Sequence, residues 1–233
     1  MTSTPGSAGP TAAATPPPSE RPTRVRRFSR AERWVHRITA WLMLLCVATA
    51  AALYVPQIAE LVGRRYLVVT LHQWSGLLLP VPLLIGLISR ALRADLGRLN
   101  RFGPHDRQWL RAARRRDARP ESRPAGKFNA GQKIYAAWIA GAVLVMLATG
   151  LLMWFTSLSP LVWRTSATFV HDWLSLAIGI VLAGHIGMAL ADPEARRGMR
   201  TGSVERYWAK REHPLWLDGL KDDRLKDDRL KDE

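Results

Sequence analysis

The chain has 233 residues, 48% of them apolar, a formal net charge of +15 and one cysteine, Cys46. A lone cysteine excludes an internal disulfide and a thiolate zinc or iron–sulfur site. The basic charge sits mostly in polar connectors between long apolar blocks, which is the pattern of membrane topology rather than of a nucleic-acid surface.

Residues 1–32 are rich in Ala, Pro, Ser and Thr up to Pro18 and lack an apolar h-region, so they read as a disordered Pro/Ala/Arg-rich tail and not as a cleaved signal. Four stretches then reach the roughly 20 apolar residues of a spanning helix, at about 34–55, 66–89, 134–155 and 166–190. The connectors after the first and third spans are about 10 residues long, which makes two antiparallel pairs and a four-helix membrane domain over 33–191. The loop over 90–129 reads as a surface segment at the lipid headgroups, with a short amphipathic piece around DRQWLRAARRR. In span two, Pro80 and Pro82 are placed to kink the helix. Beyond 191 the chain is polar. Its YWAKREHPLW stretch puts Tyr207, Trp208 and Trp216 where interfacial anchors belong, and the LKDDR repeats from Leu220 read as a solvated tail with some helix propensity.

Lys and Arg number six before the first span and twelve from Arg90 to Lys127 between the second and third, against three in the other two connectors (Arg64, Arg65 and Arg164). The positive-inside rule therefore puts both termini and the middle loop in the cytoplasm. The fold class that follows is an all-α membrane protein, a four-transmembrane-helix bundle with both termini cytoplasmic.

Four of the six histidines lie within the spans: His36, His72, His171 and His185. One such ring is as readily a helix–helix hydrogen bond as a ligand, but four at matched depths point to ligation. With the topology above, His36 and His185 lie toward the cytoplasmic face, and His72 and His171 toward the outer face. His171 and His185 are fourteen residues apart, which on a helix is about 21 Å along the axis and within about 40° of one face. Two facing pairs suit haem b, whose iron takes two axial imidazoles, better than zinc, which wants three or four ligands at one level. No Cys-x-x-Cys-His motif for covalent haem is present. Gly76, Gly179, Gly184 and Gly187 leave room for a planar ring or for ordinary helix packing. Arg33 and Arg37 lie close to His36 as propionate partners or as positive-inside anchors. His105 and His213 read as polar loop residues. Asn129 reads as a helix N-cap, and Lys127 and Lys133 as interface anchors.

RAERWVHRITAW, TLHQWSG, GKFNAGQK, VHDWLS and GHIGMAL, with a WAK…HP.W exit, resemble the gamma subunit of respiratory formate dehydrogenase, the membrane cytochrome b556, over about residues 26–216. The histidine motifs alone are also similar to the cytochrome b subunits of nickel–iron hydrogenases and to the wider b561-like group. The resemblance implies two haem b groups, with His36, His72, His171 and His185 as iron ligands in the pairs His36/His185 (inner) and His72/His171 (outer). It implies a menaquinone or ubiquinone site at Asn129, Gly131 and Gln132 near the inner haem. It also implies an iron–sulfur subunit and a catalytic dehydrogenase subunit as partners, with substrate oxidised in the partner, electrons carried across a bacterial cytoplasmic (inner) membrane, and quinone reduced. The alternatives are a hydrogenase or other b561-like electron-transfer subunit, and a non-redox membrane anchor. A transporter is disfavoured because the spans lack paired broken helices.

Overall fold

The computed structural model describes residues 23–229. Helix α1 (Arg30–Tyr54) starts at a capping box: Glu32 N–H donates to Ser29 Oγ at 3.2 Å, and Ser29 N–H to the Glu32 carboxylate at 2.5 Å. It ends before Pro56, which opens the short α2 (Pro56–Val62). The next span is two pieces, α3 (Arg65–Leu78) and α4 (Val81–Gly86), separated at Pro80 and Pro82, whose missing N–H groups break the helical ladder. The other two spans are α7 (Ala130–Trp154) and α8 (Leu161–Ala191), the latter unbroken over 31 residues. These four segments are long and apolar enough to cross a membrane. Helix α1 packs chiefly on α3, and α7 on α8.

The outside of the bundle is apolar: Trp41, Ile88 and Leu144 are 71%, 82% and 65% exposed. Such a surface is stable only under lipid. Inside, one residue from each spanning segment is buried in a common layer, Met43, Leu79, Ala142 and Ile178. The interior keeps a seven-residue step, with Met43 seven after His36, Leu79 seven after His72, and Ile178 midway between His171 and His185. That step is the signature of nearly parallel helices packed side by side.

A second, smaller core caps one end. Strands β1 (Arg24–Arg26) and β2 (Ser203–Glu205) pair antiparallel, with Val25 opposite Val204. Their apolar face packs with Trp208, Ala209 and Leu217 from α10 (Arg206–Glu212) and α11 (Pro214–Arg229). Helix α9 (Pro193–Thr201) links the bundle to β2, and its start is capped by Asp192, which accepts from Ala195 N–H at 2.9 Å. The middle loop contributes α5 (Arg90–Leu99) and α6 (Pro104–Arg114), which both pack on α7, and a 3-10 turn at Pro120–Ser122.

Several expectations change here. Of the tail read over 1–32, residues 1–22 lie outside the described residues, while 24–32 form β1 and the first turn of α1. The span helices begin earlier than hydropathy indicates at Arg30, Ala130 and Leu161, because the caps and polar first turns extend beyond the apolar runs. Trp208 is not an interfacial anchor: it is 6% exposed in the small core, whereas Tyr207 stays 74% exposed. His213 is not a free loop residue but is 2% exposed. Lys127 and Lys133 are not headgroup anchors either. Each is buried against carboxylates that lie 27 to 95 residues away in sequence.

Candidate functional site

The four intramembrane histidines meet in pairs across the bundle. His36 on α1 faces His185 on α8, with ring centroids 6.4 Å apart. His72 on α3 faces His171, also on α8, at 6.2 Å. Two imidazoles hydrogen-bonded nose to nose would bring their centroids to about 5 Å, given a nitrogen–nitrogen distance near 3 Å. A metal held between two imidazole nitrogens at about 2 Å each puts the centroids about 6 Å apart. The observed separations therefore fit a bridging iron and are too long for a direct bond. Among the described residues no three His, Cys, Asp or Glu side chains converge as a cage. Because α8 is continuous, the two levels are about 21 Å apart along it.

At the His72/His171 level each ring has a matching threonine. Thr49 on α1 gives its hydroxyl proton to Leu45 O at 2.7 Å, so its oxygen accepts from His72 Nδ1–H at 2.9 Å. Thr149 on α7 donates to Val145 O at 2.8 Å and accepts from His171 Nδ1–H at 2.9 Å. Each threonine therefore fixes the tautomer in which Nδ1 carries the proton and Nε2 presents its lone pair to the centre. Gly150 lies against the His171 ring, where a Cβ would come within 3.5 Å of Cε1. A Cβ at Gly76 or Gly179 would meet nothing beyond its own stretch of helix within 4 Å. At the same end of the bundle, Tyr54 OH donates to the Asp172 carboxylate and ties α1 to α8.

The His36/His185 level is supported differently. Tyr135 on α7 stacks on the His185 ring, with centroids 4.7 Å apart and planes 10° from parallel. Arg33 and Arg37 both donate to Arg200 O, at 2.6 and 2.9 Å, which holds α9 beside the start of α1.

Asn129, Gly131 and Gln132 open α7 next to this level. Gln132 N–H donates to Asn129 Oδ1 at 2.9 Å and Asn129 N–H to Gln132 Oε1 at 3.0 Å. This reciprocal cap uses the two amide oxygens and not the two amide NH2 groups. Gly131 admits the Trp109 ring of α6, which a Cβ there would approach to 3.1 Å. The backbone just before is held by residues far away in sequence. His213 Nδ1–H donates to Gly126 O at 2.7 Å, leaving Nε2 to accept from Arg27 Nη2 at 2.9 Å. Arg27 also donates to Lys127 O at 2.9 Å and lies over the Trp208 ring at 4.9 Å. Burial, reinforced by the Arg27 charge, pushes the His213 imidazole down to about 3, so it is neutral in the folded protein. Arg27 is itself pushed down to about 10 by burial.

On both sides of the Phe128–Gln132 stretch a lysine is buried. Lys127 Nζ contacts Glu32 at 2.9 Å and Asp95 at 2.5 Å, and Lys133 Nζ contacts Asp106 at 2.7 Å and Arg101 O at 2.9 Å. The capping asparagine was readable from the sequence; the threonine partners, the stacked tyrosine and these ion pairs were not.

The family profile described as prokaryotic cytochrome b561 matches residues 27–202. The chain belongs to the prokaryotic cytochrome b561 family. A similar protein is the formate dehydrogenase cytochrome b556(fdo) subunit of Escherichia coli K12, 27% identical over 82% of this chain and 90% of its own length. The corresponding subunit of Haemophilus influenzae is 26% identical over 80% of this chain and 83% of its own. The nitrate-inducible cytochrome b556(Fdn) subunit of E. coli K12 is 32% identical over a shorter stretch, 39% of this chain and 43% of its own. Membership in a cytochrome b family implies haem b, and together with the four apolar helices it makes this member a bacterial membrane protein.

Proposed function

We propose that this cytochrome b561 family member is the di-haem membrane subunit of a formate dehydrogenase complex. It takes electrons from an iron–sulfur partner subunit at the His72/His171 level and delivers them to a quinone beside the His36/His185 level. The observation that carries the reading is the pair of histidine couples, 6.2 and 6.4 Å between rings, held at two depths by one continuous helix. When bound, haem b supplies a one-electron carrier at each level.

The chain's own residues do the rest. His72 and His171 would hold the outer group and His36 and His185 the inner one, and Thr49 and Thr149 aim the outer rings by holding Nδ1–H. Asn129 and Gln132 keep their amide NH2 groups for a quinone carbonyl oxygen while their oxygens cap α7. Gly131 lets Trp109 close the wall behind them. Both termini and the small core are cytoplasmic, in the bacterial inner membrane, in keeping with eighteen Lys and Arg before the first span and from Arg90 to Lys127 against three in the other two connectors. Menaquinone and ubiquinone present the same carbonyl chemistry to the amides. The relatives' formate dehydrogenase names favour formate over hydrogen as the partner's substrate.

The purified chain is expected to give b-type bands in a reduced-minus-oxidised spectrum at two haems per chain. In the assembled complex, formate but not hydrogen reduces them. A protein with no b-type band, as expected of a non-redox anchor, overturns the proposal.

A further inference from the structure

The two buried lysines flanking the candidate quinone segment differ in their charge balance. Lys133 faces a single carboxylate, Asp106, and the pair is neutral. Lys127 faces two, Glu32 from α1 and Asp95 from α5, and the three side chains are 9%, 7% and 4% exposed. Two carboxylates buried side by side on one ammonium do not both ionise readily, because each negative charge raises the cost of the other and the further cation in contact, Arg98, stands largely in solvent and offsets it only in part. The pair therefore has a natural place for one exchangeable proton.

We propose that Asp95, within the Glu32–Lys127–Asp95 triad, is the proton-holding residue that feeds quinone reduction at the adjoining Asn129–Gln132 segment. The inference rests on the quinone-reducing function proposed above. Its placement is set by the chain itself: Lys127, which holds Asp95, is separated from Asn129 by Phe128 alone. Asp95 also reaches solvent through Arg98, which donates to its other oxygen at 2.7 Å and is 55% exposed.

Reduction of a quinone takes two electrons from the donor partner and two protons, with one O–H bond formed at each carbonyl oxygen. Asp95 gives its carboxyl proton toward the segment, is left as a carboxylate held by Lys127 and Arg98, and regains a proton from the aqueous side before supplying the second. The charged groups facing it are Glu32, Lys127 and Arg98 in contact and the Arg27 guanidinium nearby. Burial first, and then the hydrogen bond with Glu32, pushes the Asp95 carboxyl up to about 6 against the pull of Lys127. It is thus poised to exchange a proton near neutral pH.

The test pairs an infrared pH titration of the purified chain with formate-driven quinol formation by the intact complex, in wild type, Asp95→Asn, Asp95→Glu and Glu32→Gln. Wild type is expected to show a protonated-carboxyl band that titrates near pH 6, absent in Asp95→Asn and moved to lower pH in Glu32→Gln. Quinol formation is expected to fall about 100-fold in Asp95→Asn, the scale of a lost proton donor, with formate-driven reduction of the b-type bands unchanged. Asp95→Glu is expected to recover at least about tenfold of that loss, since it restores the carboxyl. The inference is overturned if the band survives in Asp95→Asn, if quinol formation there stays within about twofold of wild type, or if Asp95→Glu is no better than Asp95→Asn. Failure of the underlying function would appear in wild type itself, as missing b-type bands or missing quinol.

Discussion

The two histidine levels share a ring spacing and differ in what supports them. At the His72/His171 level both rings donate Nδ1–H to threonines whose own protons are committed to helix carbonyls one turn back. All four side chains come from the spanning segments themselves, so this level is set by the bundle alone. At the His36/His185 level the support is the Tyr135 ring, which stands six residues after Asn129 on the first turns of α7, and the arginines that fasten α9. This level depends on how the polar end is folded. One bundle can thus fix one pair of facing rings from within its spans and leave the geometry of the other pair to follow the folding of its polar end.

The strongest way to break the comparison is to remove a ligand. His72→Ala or His171→Ala is expected to abolish one of two b-type components and to stop the native donor from reducing the other, as read by haem stoichiometry and by donor-driven spectra. If His72→Ala still lets the donor reduce the remaining haem, the order of the two levels is wrong. Next in size, Thr49→Val with Thr149→Val leaves the ligands in place and removes the hydrogen bonds that aim them. Haem affinity at that level is expected to drop about 10–100-fold in a reconstitution titration, with the other level unaffected. Tyr135→Leu tests the opposite level and removes only a stacked ring, a loss of about 1 kcal/mol. Its expected outcome is a small change in the spectrum and potential of one component alone.

The smallest expected effect concerns pH and the polar end. His213 has a folded pKa near 3, below its ordinary 6.5, so the unfolded chain binds the extra proton between those values. Stability is therefore expected to fall as pH drops from about 6.5 toward 3, seen as a declining thermal midpoint in detergent, and His213→Gln should flatten that decline. Asp95 works in the other direction. Its folded pKa of about 6 exceeds the ordinary 3.8, so it favours the folded chain on acidification through that window, and Asp95→Asn should steepen the acid loss.

The parts of this molecule legible in the sequence are those encoded by local period and composition. The four spans, the break at Pro80 and Pro82, the Asn129 cap and the depths of the four histidines all follow from runs and intervals of fewer than thirty residues. What was not legible is long-range. Strand β1 finds its partner 179 residues away, the Lys127 and Lys133 carboxylates come from other elements, and His213 is buried by residues 87 and 186 positions earlier. A lysine near a span end reads as an anchor until its partner is known, since a free ammonium there would indeed seek the headgroups. Thr49 and Thr149 were hidden for another reason. A threonine in an apolar helix usually satisfies itself on its own backbone, and only the neighbouring helix shows that its oxygen has a second task.

The layer of Met43, Leu79, Ala142 and Ile178 has a consequence for the membrane as an electrical barrier. It lies between the two histidine levels, its four side chains are each at most 8% exposed, and it offers no hydroxyl, amide or charge to a file of water. A transmembrane potential is worth about 2.3 kcal/mol per charge per 100 mV, and any wet path between the levels would let protons run down it. These four side chains act as a dielectric washer, so the bundle can carry two levels of paired histidines without short-circuiting the bilayer.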